Sequence, residues 1–395
     1  MPGVSSNASR VIIVAGALTQ PHWVPPAEIR ARLARTAALA GLQAHARPPA
    51  PEQAAEAREA LPRELAHDRW LRGQLAAKGA GVAPGAMAAV RQLAPLADSL
   101  PLGADVPSGW LLEPVHFHLA KDHVVLLAGA AQGLSTAQSQ ELAQAIEPLL
   151  ADEGLSLTPT SPTRWLLTPA TQATQATQAT QATQPTRAQP ASMQALPPLQ
   201  LDCSAPEAAA GRNIDGYLPR GPDARRYRKL LNEIQMSWHE HPVNQQRAAQ
   251  GELPINSVWL SGPVTADGIE AFRADLAAGH YRIEERLLEP RLRDDRFAWL
   301  DALQALDALL HEWLTAPQPP EILLCGDNDV RRLQRGAPAP SRAWTRALGS
   351  GITRLAGLAG RLRTPEPAGA GDDARQSEAG PPVTDPLARL FIEVQ

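Results

Sequence analysis

Between Gly211 and Gly262 the chain gathers side chains that donate hydrogen bonds or carry charge, against a background of Ala, Leu, Pro and Gly. His239, His241, Asn244, Arg247 and Asn256 follow one another in the order helix, turn, short helix and strand, which lets them converge at one corner. Arg and Asn there would hold an anion through charge-assisted hydrogen bonds, with His as a proton carrier. The same residues would equally serve a hydrogen-bonded turn whose polar side chains cap backbone groups. Just upstream, Arg212, Asn213 and Asp215 lie in a polar segment bounded by Gly211 and Gly216, where backbone can approach a ligand closely.

Two further constellations carry donor atoms. His116 and His118 alternate with Val115, Phe117 and Leu119, a period of two that places both imidazoles on one face of a strand. A tight turn at Lys121-Asp122 then returns the chain and brings His123 close, a set suited to zinc or copper. No Cys or carboxylate stands at a supporting spacing, so solvent-facing or hydrogen-bonded histidines are the first reading. Asp327 and Asp329 follow the apolar strand Glu321–Cys325, at the carboxyl end where α/β folds place ligands, although Gly326-Asp-Asn-Asp329 also reads as an ordinary turn. His67, Asp68, Arg69 and Trp70 are a further candidate site, read first as a solvated helical face with Trp70 tucked beneath it. Arg220, Arg225, Arg226, Arg228 and Lys229 make the start of one helix strongly basic.

The elements that must position these residues follow from periodicity. Val11-Ile-Ile-Val14 is a continuous β-branched run, expected of a strand covered on both faces. Ser135 is placed to cap a helix running to Leu150, and Arg164–Thr168 reads as a strand. Pro222 opens a helix whose stripe is Tyr227, Leu230, Leu231, Ile234 and Trp238. His241-Pro242 ends it, and Asn244 is expected to cap a short helix over 245–250 closed by Gly251. Helices are also expected over 268–276 and 294–314. The spacing predicts an α/β fold with a mostly parallel sheet flanked by helices: an N-terminal α/β part over 1–167, a flexible Thr-Gln-Ala insert over 168–200, a C-terminal α/β part over 201–362, and a disordered tail over 363–395.

Composition bounds the function. The chain has 395 residues, 44% hydrophobic and 20% charged, values of a globular protein with room for a large core. A net charge of -4 gives no overall pull toward nucleic acid or anionic membranes. No apolar run is long enough to span a membrane. Two distant cysteines, Cys203 and Cys325, form neither a metal motif nor a disulfide framework, which points to the cytoplasm.

The run His241-Pro-Val-Asn244, with Arg247, Gly251, Pro254, Asn256 and the strand ending at Gly262, resembles a motif of the archaeal-type cofactor-independent phosphoglycerate mutases of the alkaline phosphatase superfamily. A wider pattern resembles the RpfE-type bacterial regulatory proteins. It takes in Leu111-Leu-Glu-Pro-Val-His116, Asp122-His123, Gly211-Arg-Asn-Ile-Asp215 and Asn232-Glu-Ile-Gln-Met236. The resemblance implies an alkaline-phosphatase-like fold. Mutases of that kind need two metal ions held by Asp and His clusters, a Ser nucleophile, and an Asp-Gly pair closing the first strand. Here that strand closes on Ala15-Gly16, and Asp327 and Asp329 have no adjacent His. The resemblance therefore implies a non-catalytic regulatory or ligand-binding protein without a cofactor, whose partner is a phosphorylated small molecule or a protein. The alternatives are a metal-dependent phosphoglycerate mutase or phosphatase, with Mn or Zn on His116, His118, His123, Asp327 and Asp329, and a nucleic-acid-binding regulator.

Overall fold

The computed structural model describes residues 11–20, 22–33, 62–103, 106, 108–129, 131, 133–171, 199–315, 320–333 and 391. Most of the Thr-Gln-Ala insert and nearly all of the tail expected beyond 363 lie outside the described residues.

Strand β1 (Val11–Val14) is the centre of a sheet ordered β7 (Tyr281–Glu284), β1, β8 (Glu321–Cys325), β9 (Val330–Leu333). It runs parallel to both neighbours, with Val11 opposite Tyr281 on one side and Glu321 on the other, and β9 closes the edge antiparallel. Its unbroken β-branched sequence is explained by what covers it. Ile12 and Val14 pack with Ile322 and Leu324 beneath Trp299, Leu300, Leu303 and Leu306 of a long helix, Arg296–Thr315. Val11 and Ile13 face the opposite layer, built from α2 (Ala66–Ala77), α3 (Met87–Leu93) and α8 (Ala266–Ala277), through Leu71, Val90, Ile269 and Phe272. Helix α1 (Pro26–Leu33) adds Ile29 to the first layer.

A second sheet is wholly antiparallel. Strand β2 (Gly109–Leu119) pairs with β3 (Val124–Leu127), with β5 (Arg164–Pro169) and with β6 (Ser257–Val264), while β4 (Leu155–Ser161) forms an edge against β5. Pro159 is tolerated in β4 because an edge strand can spare a donor. One face of this sheet carries Trp110, Leu112, Trp165 and Leu167 against α4 (Thr136–Asp152) and α6 (Ala224–His239). On the other face Leu111, Leu166 and Val264 share a core with Val90, Leu93 and Phe272, so the α3 layer lies between the sheets and joins them.

The α/β class stands, and the expectation of one mostly parallel sheet is corrected. Parallel pairing is confined to β7, β1 and β8, because β2 receives its partners through hairpin-like returns and through β6. Nor does either sheet come from one part of the sequence: β1 pairs with β7 and β8, and β2 with β6. The boundaries at 167 and 201 thus flank the insert and separate no independent core.

Ser135 and Gln138 form a full capping box on α4. The helix expected over 245–250 instead runs Pro242–Ala249 (α7), with Pro242 at its first turn and the His241 imidazole accepting from Val243 N. Asn244, expected as the cap, is inside the helix and turned to the core.

Candidate functional site

The expected corner is present as a set of braces. Asn244 Nδ2 donates to Trp238 O at 2.9 Å and to Ile255 O at 2.8 Å, while its Oδ1 accepts from Ile255 N at 2.7 Å. Asn256 makes the same two-way clasp on the backbone of Phe117, at 2.7 and 2.9 Å. Arg247 is 1% exposed, its Nε donating to Leu253 O and its Nη1 lying 2.9 Å from Glu252. His239 is exposed at the end of α6 and His241 is the cap of α7. Of the two readings of this corner, the hydrogen bonds realise the turn whose polar residues serve backbone groups. The physical reason is that α7 and the entry to β6 bury carbonyls and amides that no sheet partner reaches.

The hairpin bearing His116, His118 and His123 forms as expected, with Ala120 N bonded to His123 O across the turn. The three imidazoles do not converge. His116 Nδ1 donates to Pro254 O at 2.8 Å, His118 lies alongside with ring centroids 6.2 Å apart, and His123 Nδ1 donates to Asp122 at 2.6 Å. Asp327 and Asp329 sit in the β8–β9 turn, closed by Gly326 N on Asp329 O. Arg212 reaches across to Asp327, and Arg291 joins it at 3.0 Å, so two stretches far apart in sequence do meet. Asn213 caps the short turn carrying Asp215 by accepting from Asp215 N. Among the described residues no group of three or more His, Cys, Asp or Glu is gathered as a metal would require.

A cavity of about 500 Å3 opens beyond the carboxyl end of the parallel strands, where the two sheets meet. Its walls come from β2 (Glu113, Val115), the end of β3, the start of β5 (Arg164), α3 (Arg91), the segment after β7 (Glu285) and two short helices, α5 (Pro206–Ala209) and α9 (Leu288–Leu292). Leu288 and Leu292 also close a small apolar cluster with Ala15 and Leu65, which seals the end of β1.

Arg91 organises the polar part. It is 7% exposed, its Nε donating to Asp68 Oδ1 at 2.7 Å, and it pairs with Glu285 on the exposed side and approaches His67 Nε2 at 3.2 Å. His67 and Asp68 are both fully buried, which corrects the reading of this helical face as solvated: α3 and its arginine cover it. Burial pushes the His67 imidazole down to about 4, so it is neutral. Burial of Asp68 would raise its carboxyl, but Arg91 and His67 hold it below the usual range.

Glu113 and Glu207 are the unusual pair. Burial, and then the neighbouring Glu207 carboxyl, push Glu113 up to about 8 against the pull of Arg164. Glu207 is raised as well, chiefly by burial, with Arg91 opposing and Asp68 adding. Their Oε2 atoms are buried without hydrogen-bond partners, as is Gln92 Oε1, whose amide nitrogen donates to Glu207 Oε1 at 3.2 Å. A protonated carboxyl beside a second one in a cavity is an arrangement for binding or for proton transfer. Glu113 stands in an otherwise apolar run, Trp110-Leu-Leu-Glu-Pro-Val115, and that lone charge is the sequence signal that would have marked the site.

No family model matches the chain. A stretch of 73 residues is 36% identical to the 2,3-bisphosphoglycerate-independent phosphoglycerate mutase of Methanosarcina mazei, covering 18% of this chain and 18% of that protein. A longer stretch of 139 residues is 26% identical to the probable enzyme of that name from Geobacter sulfurreducens, covering 35% of this chain and 29% of that protein. The matches thus span less than a third of these relatives' lengths. The solved cofactor-independent phosphoglycerate mutase of Thermoplasma acidophilum aligns over 82% of this chain and 89% of its own, at 14% identity and a TM-score of 0.28.

Proposed function

We propose that this protein is a ligand-binding relative of the cofactor-independent phosphoglycerate mutases that carries out no metal-dependent phosphoryl transfer, a regulatory protein of the RpfE type. The observation that carries the proposal is what occupies the carboxyl edge of the parallel sheet. Ala15, Leu65 and Leu288 pack there as an apolar cluster, and Asp327 is held between Arg212 and Arg291. Two-metal catalysis needs several anionic ligands facing paired cations, and an aspartate already neutralised by two guanidinium groups is a poor one. These residues do not fit a pair of divalent ions. The cavity over that edge remains as the place for a ligand.

Buried, unpaired Cys203 and Cys325 accord with a reducing cytoplasm, and no helix among the described residues is long and apolar enough to cross a membrane. Of the basic residues at the start of α6, Arg226 is drawn 2.5 Å from Glu153 and Lys229 lies 3.4 Å from Glu233, which weakens the case for a nucleic-acid surface.

The test is turnover. The full chain, assayed for interconversion of 2- and 3-phosphoglycerate and for hydrolysis of p-nitrophenyl phosphate with Mn2+ or Zn2+, is expected to give the rate of the metal blank. Turnover abolished by Asp327→Asn or by His116→Ala would overturn the proposal in favour of a metal-dependent mutase or phosphatase.

A further inference from the structure

We propose that the cavity takes a small molecule presenting a protonated amine on an apolar body, the ammonium seated between the carboxyls of Glu113 and Glu207. The assignment rests on the ligand-binding reading and names the ligand's chemical class. Its basis is an imbalance between donors and acceptors. The three polar atoms left without partners at this place, Glu113 Oε2, Glu207 Oε2 and Gln92 Oε1, are all acceptors when both carboxyls are ionised. The arginines nearby are turned elsewhere: Arg91 to Asp68 and Glu285, Arg293 to Glu289 at 2.6 Å, and Arg164 to the other side of Glu113 at 3.9 Å. A ligand that completes the site must therefore bring donors. An ammonium brings three, together with the positive charge that two buried carboxylates lack.

Charge leads to the same class. Acidic side chains outnumber arginines along the wall, with Glu113, Glu207, Glu285 and Glu289 against Arg91, Arg164 and Arg293, and Asp68 adds another behind Arg91. An anionic ligand would meet no unengaged guanidinium. A bare divalent ion is disfavoured, because no three ligating groups among the described residues are gathered for one. The remaining wall is apolar, with Val115, Leu126, Ala131, Pro206, Leu288 and Leu292, which suits a hydrocarbon body attached to the amine.

Without a cation the pair relieves its repulsion by keeping a proton, which agrees with the Glu113 carboxyl being pushed up to about 8 by burial and by Glu207, against Arg164. The groups facing the pair are Arg164 from β5, Arg91 from α3, Asp68 from α2 and Glu285 after β7. Near neutral pH an incoming ammonium replaces that proton: the alkylammonium keeps its three hydrogens, Glu113 becomes carboxylate, and one proton leaves to the buffer.

The test uses the full chain and four probes: n-hexylamine, n-hexanol, hexanoate and inorganic phosphate. Hexylamine is expected to raise the melting temperature and to bind with proton release at pH 7, read by calorimetry in buffers of different ionisation enthalpy. Release is expected to vanish above about pH 9, where Glu113 is already ionised. Glu113→Gln and, separately, Glu207→Gln should weaken hexylamine by about tenfold or more. Ala210→Trp, which fills the apolar wall and leaves the carboxyls in place, should do the same, and it keeps the test open if a glutamate variant fails to fold. Binding of hexanoate or phosphate in preference to hexylamine, hexylamine binding unchanged by these variants, or no binding of any probe would overturn the assignment. Phosphoglycerate turnover together with glutamate-dependent amine binding would sink the non-catalytic reading and leave this site standing.

Discussion

Arg91 Nε donates to Asp68 Oδ1 at 2.7 Å across the contact between α3 and α2, with the carboxylate fully buried. The pair ties together the helix layer shared by both sheets, and its guanidinium forms part of the cavity wall. Removing one member leaves the other charge in the core. Asp68→Ala is expected to cost about 3–5 kcal/mol in urea unfolding. Asp68→Leu combined with Arg91→Met should recover part of that loss, since two apolar groups strand no charge. A double variant no more stable than Asp68→Ala would contradict this account.

Stability should depend on pH with opposing contributions. Folded Glu113 keeps its proton to about 8, whereas the unfolded chain releases it near 4.5. Its contribution is complete below the unfolded value and is lost as pH rises through the folded one, and the raised Glu207 acts in the same direction. His67 is the reverse. It stays neutral to about 4 when folded but charges near 6.5 when unfolded, so its contribution is lost as pH falls through that window. Between about 4.5 and 6.5 His67 offsets one proton's share of the glutamate loss, and from 6.5 to 8 the glutamate slope, about 1.4 kcal/mol per pH unit per proton, is no longer opposed by it. Urea midpoints for wild type should fall across that upper range, and Glu113→Gln should flatten the fall. A midpoint that rises there would refute it.

Asn244 tests the nature of the corner around α7. Asn244→Ala would leave Ile255 N and Ile255 O without partners, and Trp238 O with only the Glu240 and His241 amides. Each of the two buried groups left unmet costs about 1–3 kcal/mol, so a total of about 2 kcal/mol or more is expected. Amine binding at the cavity should be unchanged once the variant is folded. A stable variant with altered ligand affinity would return the corner to the list of binding sites.

What was legible in the sequence was local. Val11–Val14 announced a doubly covered strand because every side chain in it had to be apolar, and the stripe from Tyr227 to Trp238 was readable because one helix face repeats. The His116 hairpin was readable from its alternation and turn. The cavity was not, because seven separate stretches supply its wall and no spacing links Arg91, Glu113, Glu207 and Glu285. His67 and Asp68 looked solvated for the same reason: the residue that neutralises Asp68 lies on the next helix. The second sheet was missed because β2 and β6 meet only through long-range pairing, which no local pattern encodes.

Gly16 and Gly211 allow the joint below the cavity to be probed with a built-in control. Both have positive φ, 69° and 71°, so alanine at either pays the same left-handed backbone cost of about 1–2 kcal/mol. At Gly211 an added Cβ meets open space. At Gly16 it would stand 2.8 Å from Leu288 Cα and 2.9 Å from Leu287 O, and backbone at the start of α9 cannot swing aside as a side chain can. Gly16→Ala should therefore be more destabilising than Gly211→Ala by about 1–3 kcal/mol, the usual cost of overpacking. Because Leu288, Leu292 and Arg293 lie on the cavity wall, the same displacement should weaken hexylamine binding in Gly16→Ala and leave it intact in Gly211→Ala. Equal unfolding midpoints for the two variants would mean that α9 does not rest on β1.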